Sequence, residues 1–496
     1  MRLVQIKEIQ WKKRNDLETF ITLDDWKMLD FVIFAVTFVV ALLIAVIYLY
    51  PGSKRITTIP GPDPTTKEDG NLADIARAGS LHEYLIDLHK QYGDITAFWM
   101  GQEFVVSICS PELFKQHSAV FDRPVSLFKL FEPFLGEKSI QFANKGDGRS
   151  RRKQYDQVFN PSHLVQYYSG LQEVSDNLVK KWTSLPKDDH VALAQYMSAL
   201  ALKMALVSLF GSHAWSDEEI LEIRHNYDIA WSELERRLVD FPEEGSPRIK
   251  AFENAHKRFH ALVKKMVTNH RKLSKKSTEE GLFIDALLDS TEDEQVILSD
   301  ACSYIVAGFH TTGNLLTWAV YFLATHEDVQ DKVYKEIKKV LGGNDVEPSS
   351  LKDLVYLRQV IDESLRCAVI APWAARYQDF DSELGGHKIP KNTPVIHALG
   401  VSLQNEKYFP LPNKFDPDRF SAENSKSRPS YSFQPFGFAG KRKCPADNFA
   451  YVEATITLVS ILRKFKVKMV EGQVVTPTFG LVTHPTEEVW ITLQKR

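Results

Sequence analysis

The chain has 496 residues, of which 44% are apolar, and a formal net charge of −3. This apolar content suffices for a large core, and the near-neutral charge excludes the strongly basic balance typical of a nucleic-acid-binding protein, so we expect no nucleic-acid partner. The four cysteines, Cys109, Cys302, Cys367 and Cys444, are far apart and form no CxxC pair. This usage argues against a disulfide framework or a zinc site and fits a reducing compartment.

The first marked feature along the chain is the uncharged apolar run Phe31–Tyr50. As a helix it would be about 30 Å long, enough to cross the hydrocarbon core of a bilayer. A buried core helix and a cleaved signal sequence are the alternatives, but no small-residue cleavage site follows the run. We therefore predict a transmembrane anchor over residues 28–50, ended by Pro51 and Gly52.

Residues 1–27 conflict with the simplest topology of this anchor. They contain six Lys or Arg residues, which draw the upstream side to the cytosol, whereas Lys54 and Arg55 draw the downstream side there. The conflict disappears if translation begins at Met28. We therefore interpret residues 1–27 as an N-terminal extension or a gene-model artefact. A mitochondrial transit peptide is the alternative, but this segment is too acidic for one.

Residues 51–64 are predicted to form a linker, because the prolines of Ile59-Pro-Gly-Pro-Asp-Pro64 cannot continue a helix. After it, Ile95–Met100 and Glu103–Ile108 alternate in polarity around a two-residue turn and predict a β-hairpin.

Helical patterns dominate the chain from about residue 150 to residue 370, and short strands are predicted near Phe465–Val470 and Val489–Leu493. The fold class is therefore mainly α with a small β region.

One predicted helix, Asp300–Ala324, is long and mostly apolar. Within it, Gly308 costs about 1 kcal/mol relative to alanine, which indicates close approach of another group. The hydroxyl of Thr311 can bond back to a carbonyl one turn earlier and loosen the helix locally. Taken alone, these two residues are also explained by ordinary helix packing.

Glu363 and Arg366 are three residues apart on a predicted helix, so that their side chains share a face and can pair. Such a pair is most often solvated and contributes little stability.

Near the C-terminus, glycines and basic residues precede Cys444, and Pro445 follows it. An apolar run, Phe449–Leu462, then has helical spacing. This pattern predicts Cys444 at a helix N-cap and Pro445 at the first helical position. There the helix dipole and Arg442 would favour the thiolate, which suits a fifth ligand of haem iron. An inert buried thiol is the alternative for an isolated cysteine.

The segment around Cys444 resembles the haem-ligand loop of the cytochrome P-450 superfamily. The residues that match are Gly440, Arg442, Phe449 and Ala450. The aromatic residue expected seven positions before the cysteine is replaced by Gly437, so that Phe436 or Phe438 would cover the thiolate; we name Phe436 as the cofactor-binding residue. The glycine expected two positions after the cysteine is Ala446.

The resemblance extends to the long helix. Ala307, Gly308 and Thr311 are similar to the oxygen-binding groove of the superfamily, in which an acidic residue occupies the position of His310. It implies that Thr311, with His310 or a water molecule, steers the protons consumed in oxygen cleavage. The resemblance leaves open whether His310 takes part or points away.

Other charged residues acquire roles through the same resemblance. Glu363, Arg366 and Arg419 match a buried network that holds the ligand loop, and Arg376 matches an arginine that binds a haem propionate. One of Arg149, Arg151, Arg152 and Lys153 would bind the other propionate.

Four short segments look like animal family 20, subfamily A, of these cytochromes, which has no settled substrate. They are Met28-Leu-Asp-Phe, Asp69-Gly-Asn-Leu, Gly79-Ser-Leu-His-Glu and Phe415-Asp-Pro-Asp-Arg-Phe. The resemblance implies a cytochrome P-450 fold over residues 65–496 on one N-terminal anchor. The protein would be a single-pass protein of the endoplasmic reticulum, with its catalytic domain in the cytosol and in contact with membrane lipid.

The implied activity is a monooxygenase reaction that inserts one atom of O2 into a small apolar substrate. The implied cofactor is haem b with Cys444 as axial thiolate. Electrons would come from NADPH through a flavoprotein reductase, with cytochrome b5 as a further candidate donor. Two alternatives remain open, motivated by His310, Gly437 and Ala446: a haem-thiolate binding or sensing protein, and an isomerase or peroxygenase that needs no reductase.

Overall fold

The computed structural model describes residues 23–49, 57–186, 189–211, 215–237, 242–273, 281–437 and 440–496. The chain divides into two units, Met1–Ile56 and Thr57–Arg496. The described part of the first unit is one helix, Leu23–Leu49. Residues 1–22 of the predicted extension, residue 50 of the predicted anchor and residues 51–56 of the predicted linker lie outside the described residues.

Helices make up most of the described chain. In order they are α1 Leu23–Leu49, α2 Leu72–Ala78, α3 Leu81–Tyr92, α4 Pro111–His117, α5 Val125–Phe128, α6 Glu132–Leu135, α7 Lys145–Tyr155, α8 Pro161–Leu164, α9 Tyr168–Thr183, α10 Leu193–Phe210, α11 Asp217–Arg236, α12 Pro247–Leu273, α13 Phe283–Ser290, α14 Glu294–Thr325, α15 Glu327–Val340, α16 Val355–Ala368, α17 Leu399–Leu403, α18 Ala422–Ser425 and α19 Asp447–Lys464.

In the described residues the strands are short and form four small sheets. They are β1 Ile95–Met100, β2 Glu103–Ile108, β3 Val191–Ala192, β4 Ala374–Arg376, β5 Ser382–Leu384, β6 His387–Ile389, β7 Val395–His397, β8 Phe465–Met469, β9 Pro477–Phe479, β10 Thr483–Pro485 and β11 Trp490–Lys495. The largest sheet has the order β1-β2-β7-β4, and β3-β11-β8 is the second. The prediction of a mainly α protein with a small β region is confirmed.

The predicted hairpin has the expected bounds. β1 and β2 pair antiparallel, with Ile95 opposite Ile108 and Met100 opposite Glu103. The end of the predicted linker lies against this hairpin, because the backbone N–H of Ala97 donates to the carbonyl of Pro60 at 2.9 Å. A side chain on Gly61 would collide with the carbonyl oxygen of Ala97.

The long helix predicted over Asp300–Ala324 is α14, and it packs most extensively against α10. Glycine makes this close crossing possible: a Cβ on Gly313 would lie 3.0 Å from the Cα of Ser198, and one on Gly308 would lie 3.3 Å from the Cβ of Ala205. The close approach that Gly308 indicated in the sequence is therefore that of a neighbouring helix.

The expectation that Cys444 caps a helix is wrong by two residues. The helix after it, α19, begins at Asp447 with Ala446 as its N-cap. Cys444 belongs to the preceding loop instead, where its backbone N–H donates to the carbonyl of Phe436 at 3.1 Å. This bond closes the loop, so that the chain turns through Pro445 and Ala446 before it becomes helical.

Two described stretches are strongly apolar. Of the described helices, α10 alone is both long and apolar enough to span a membrane, and most of it is buried in the core. In α1, the shorter stretch Asp30–Ile44 is also apolar, and its large side chains are exposed, as with Phe31 at 70%.

Candidate active site

A cavity of about 390 Å³ lies between α14 and the loop that precedes α19. Its wall is mostly apolar and includes parts of two segments whose residues are far apart in sequence, Phe128–Leu135 and Ile370–Ala375. Among the residues that line it are the predicted site residues Ala307, Gly308, His310, Thr311, Arg376, Phe436, Arg442 and Cys444. The structure thus brings both predicted halves of the site to one chamber.

The loop before Cys444 depends on glycine. Gly437 and Gly440 have φ angles of 78° and 95°, in the region that disfavours other residues. A Cβ on Gly440 would lie 2.2 Å from the carbonyl oxygen of Ser118, so no side chain fits there. Phe436 lines the cavity and its ring contacts that of Tyr451, with centroids 5.1 Å apart. The alternative ring, Phe438, lies outside the described residues.

Burial raises the pKa of the Cys444 thiol, and the Asp447 carboxylate adds to this effect. The Ala446 N–H and the charges of Arg152 and Lys443 lower the pKa. The expectation that Arg442 provides the stabilising charge is not met, because Arg152 and Lys443 have that role. A bound metal cation deprotonates a coordinating thiol, so burial does not prevent this group from serving as an anionic ligand.

Four arginines line the same cavity: Arg123, Arg152, Arg376 and Arg442. Burial and the charges of neighbouring arginines lower the pKa of Arg123 and Arg376 to about 9 and that of Arg442 to about 8. Mutual repulsion among buried guanidinium groups favours an anion between them. A haem b fits this donor set, since it carries two carboxylates and needs one thiolate ligand.

The contacts of Arg442 are to neutral groups. Its Nη1 donates to the carbonyl of Ala143 at 2.8 Å, and its Nη2 to that of Ile140 at 2.6 Å. Its guanidinium lies over the ring of Phe121, with 4.6 Å to the centroid, and its Nε has no hydrogen-bond partner in the described chain.

The structure distinguishes the four basic residues in and near α7. Arg152 lines the cavity and is paired with Asp156 at 2.6 Å. Arg151 instead pairs with the buried Asp300 at 3.0 Å. Arg149 and Lys153 are exposed. Of this set, Arg152 is thus the residue whose position on the cavity wall the structure shows.

Sequence reasoning missed Arg123. Its Nη1 donates to the side-chain oxygen of Gln141, and its backbone N–H donates to Asn144 Oδ1 at 2.9 Å. The available signal was a basic residue immediately before Pro124, at the start of a segment that reaches the cavity through Phe128 and Phe131.

On α14, the hydroxyl of Thr311 donates to the carbonyl of Ala307 at 2.7 Å. Both residues line the cavity. His310 also lines it, but its ring packs edge-on against two aromatic rings, with centroids 5.5 Å from Tyr227 and 5.1 Å from Trp231. Burial lowers the pKa of His310 to about 4, so the imidazole is neutral at physiological pH.

Sequence reasoning also missed an acidic residue of the cavity wall. Glu453 on α19 lines the cavity, is almost fully buried, and accepts a hydrogen bond from the Thr312 hydroxyl at 3.0 Å. Burial raises its pKa to about 8. The signal was a lone charge within the apolar run Phe449–Leu462.

Away from the cavity, Glu363, Arg366 and Arg419 meet. Arg366 donates from Nε and Nη2 to the two oxygens of Glu363 at 2.7 and 2.9 Å, and both side chains are completely buried. Arg419 Nε donates to Glu363 Oε1 at 3.2 Å. Arg366 also donates from Nη1 to the carbonyl of Leu403 at 3.2 Å and from Nη2 to that of Pro412 at 2.8 Å.

A partly buried thiol in a glycine-rich loop, facing a long helix across a mostly apolar chamber that arginines line, is the arrangement of a haem-thiolate enzyme. Comparisons with known proteins agree. A family model for cytochrome P450 matches residues 60–491. Cytochrome P450 20A1 from Bos taurus is 37% identical over 475 residues, which cover 95% of this chain and 100% of that protein. Cytochrome P450 20A1 from Homo sapiens is 36% identical over the same coverage.

The fold comparison points the same way. The crystal structure of the cytochrome P450DA heme domain superposes with a TM-score of 0.76 and 20% identity, covering 88% of this chain and 97% of that one. The chain belongs to the cytochrome P450 family and is a cytochrome P450 monooxygenase. Its cofactor is haem with a thiolate iron ligand, and its co-substrate is O2.

Proposed function

We propose that Cys444 is the axial thiolate of the haem and that the cavity it lines is the substrate chamber. The observation that carries this proposal is that the Cys444 thiol and four arginine side chains line one chamber. Arg376 and Arg123 would bind the two propionates, because guanidinium–carboxylate contacts suit that task. Arg152, whose Nε and Nη2 donate to Asp156, would add its positive charge. Arg442 holds the loop to Ile140 and Ala143, and Gly440 lets it pass Ser118.

Haem with a thiolate ligand supplies the activation of O2 and the insertion of one oxygen atom into the substrate. The chain would supply the protons. Thr311 presents a hydroxyl to the chamber. Glu453, protonated below a pKa of about 8, accepts from Thr312 at one carboxyl oxygen and can hold an acidic proton on the other, which has no hydrogen-bond partner in the described chain. Ala307 and Gly308 also line the cavity, and they are too small to block the approach of a bound molecule to Thr311.

The electrons, in this proposal, come from NADPH through a flavoprotein reductase, with cytochrome b5 as a second donor. Lys441 and Lys443 are exposed or partly exposed next to Cys444. Positive charges at this surface would steer an acidic partner to the side of the haem on which Cys444 lies.

We also propose that the protein is anchored in the endoplasmic reticulum by residues 28–50, with residues 51–64 as linker and residues 65–496 as the catalytic domain in the cytosol. Support comes from α1, whose 27 residues would span about 40 Å. Its exposed apolar side chains, Phe31, Phe34 and Phe38 among them, need an apolar environment.

We assign Glu363, Arg366 and Arg419 a structural role. All three would hold the Phe409–Phe420 region against α16, because Glu363 Oε1 also accepts from the backbone N–H of Asp416 at 2.8 Å.

The test of the ligand assignment is the spectrum of the reduced protein with carbon monoxide. We expect the red-shifted Soret band of thiolate-ligated haem. Cys444→Ser abolishes this band, whereas Cys109→Ser, Cys302→Ser and Cys367→Ser retain it as matched controls. A Cys444→Ser protein that keeps the band overturns the assignment.

A further inference from the structure

Tyr304 lies on α14, one turn before Gly308, and lines the cavity. Its ring is held by aromatic neighbours. It stacks on Phe283 with centroids 4.0 Å apart and on Phe159 with centroids 6.0 Å apart, and it meets Tyr155 edge-on at 5.8 Å. These contacts restrict the rotation of the phenol ring. The position of the Tyr304 hydroxyl is therefore set by the packing of its ring.

The hydroxyl of Tyr304 has no hydrogen-bond partner in the described chain, yet protein does not enclose it completely. The hydroxyls of Tyr84 and Tyr227 are also unpaired, but they have almost no accessible surface, so no ligand reaches them. Tyr304 is half-buried, and burial raises the pKa of its hydroxyl. The accessible part of this side chain therefore faces the cavity, where its hydroxyl can donate a hydrogen bond to a bound group.

Three of the cavity arginines lie near this hydroxyl. Tyr304 acts on the pKa of Arg123, Arg152 and Arg442, and an electrostatic influence of this kind requires a short distance. Arg152 is paired with Asp156, whereas the hydrogen bonds that Arg123 and Arg442 donate in the described chain go to neutral groups. The hydroxyl thus faces a region of positive charge.

The chemistry of these side chains defines the group that would bind among them. A guanidinium has five N–H donors and no acceptor, so the arginines cannot accept the hydrogen bond that Tyr304 offers. The bound group must therefore supply acceptors, and the positive charges favour an anion. A carboxylate meets both conditions, because its two oxygens accept from several donors at once.

We propose that Tyr304 is a haem-binding residue and that its hydroxyl donates a hydrogen bond to one of the two propionates. The proposal rests on the proposed function, since it places the haem in this cavity. It adds to the arginines a neutral donor on α14, at a position that no motif in the sequence indicated.

The test is the rate at which the full-length, haem-loaded protein in detergent loses haem to an excess of apomyoglobin, followed by absorbance. Neither reductase nor NADPH is present, so that no turnover occurs. Tyr304→Phe removes the hydroxyl and keeps the ring. We expect this variant to lose haem about tenfold faster than wild type, because a hydrogen bond to a charged acceptor is stronger than one to a neutral acceptor.

A second haem separates a contact with the propionate from a general effect on packing. Haem dimethyl ester carries no carboxylate, so with it we expect Tyr304→Phe to change the rate of haem loss by about twofold or less. The matched control is Tyr155→Phe, which removes the hydroxyl of a neighbouring ring. That hydroxyl donates to Asp300 at 2.8 Å, and Tyr155 does not line the cavity. This control changes the loss of both haems by the same factor.

The propionates are also observed directly. In resonance Raman spectra of the protein with ordinary haem, we expect the frequency of a propionate bending mode to shift in Tyr304→Phe and to stay unchanged in Tyr155→Phe. If haem dimethyl ester is not taken up, this measurement decides, and a mode that does not shift in Tyr304→Phe overturns the proposal.

Failure of this proposal is distinguishable from failure of the ligand assignment. Equal effects of Tyr304→Phe on the loss of both haems, or no effect on either, overturn the role of Tyr304 alone. If Tyr304→Phe does not fold, Tyr304→Met, which also lacks the hydroxyl, takes its place, and the ratio of its effects on the two haems decides. A wild-type protein that binds haem without the thiolate band overturns the assignment of Cys444, and the same ratio still decides the role of Tyr304.

Discussion

Thr312 Oγ1 donates a hydrogen bond to Glu453 Oε2 at 3.0 Å, and this bond joins α14 to α19 across the buried side of the cavity. The second carboxyl oxygen of Glu453 has no hydrogen-bond partner in the described chain. Burial raises the pKa of Glu453 to about 8, so that this carboxyl group is protonated in most molecules at neutral pH. A proton is thus held on the wall of the chamber by a group that sequence reasoning did not single out.

Glu453 makes stability depend on pH. Its pKa of about 8 in the folded chain is above its ordinary value of 4.5, so between these values the folded state holds a proton that the unfolded state lacks. This contribution to stability is fully present below pH 4.5 and is lost as the pH rises through about 8. We expect Glu453→Gln to gain stability relative to wild type as the pH is raised from 5 to 8. Urea unfolding at each pH measures the difference, and a difference that does not change with pH contradicts the prediction.

Proton supply is tested by the leakage of hydrogen peroxide during NADPH oxidation with added reductase. Thr311→Ala and Glu453→Gln remove a hydroxyl and an acidic proton from the chamber, and we expect each to raise peroxide per NADPH several-fold. His310→Ala leaves leakage unchanged, because the neutral imidazole, with its pKa of about 4, holds no proton to deliver near neutrality. A rise in His310→Ala that is less than additive with Thr311→Ala would instead identify a shared relay.

The buried pair of Glu363 and Arg366 predicts a large loss of stability on breaking it. Glu363→Gln leaves a buried guanidinium uncompensated, which costs about 3–5 kcal/mol. The control is Glu132→Gln, which breaks a partly exposed pair with Lys129 of the same spacing and costs about 0–1 kcal/mol. Denaturant unfolding followed by the haem absorbance measures both. Equally small losses of stability in Glu363→Gln and Glu132→Gln would show that the pair of Glu363 and Arg366 is solvated in solution.

The anchor predicts the behaviour of truncated chains. Deletion of residues 1–27 leaves the protein in the membrane fraction with its C-terminal domain open to protease in intact microsomes. Deletion of residues 1–59 removes the anchor and weakens membrane binding. Protection of the C-terminal domain from added protease would reverse the proposed topology.

Local features of the fold were predictable because neighbouring residues determine them. The hairpin of β1 and β2 follows from alternation around one turn, and α14 follows from its apolar length. The start of α19 was not predictable, because the bond from Cys444 to Phe436 spans eight residues of loop and overrides the local capping pattern.

The same distinction holds for the site. Cys444 and Thr311 lie in recognisable motifs, whereas Arg123 and Glu453 belong to no motif and became candidates once the tertiary structure placed them on the cavity wall. Gly308 was noticed in the sequence, but the sequence could not show that its neighbour is Ala205 of α10. Spacing along the chain indicates which residues share a helix face, but does not show which distant segment packs on that face.

The crossing of α10 and α14 determines which walls of the cavity can change shape. At Gly313 the two backbones approach so closely that a single methyl group would press on Ser198, and residues on both helices line the cavity. The wall formed by α10 and α14 is therefore rigid. A molecule of a different shape has to be accommodated on the side built from short pieces, α5, α6 and the stretch Ile370–Ala375, where few backbone bonds would have to change. Sequence changes that alter which substrates the enzyme accepts are therefore expected in these short segments. Changes at Gly308 and Gly313 are expected to alter the stability of the packing between α10 and α14 instead.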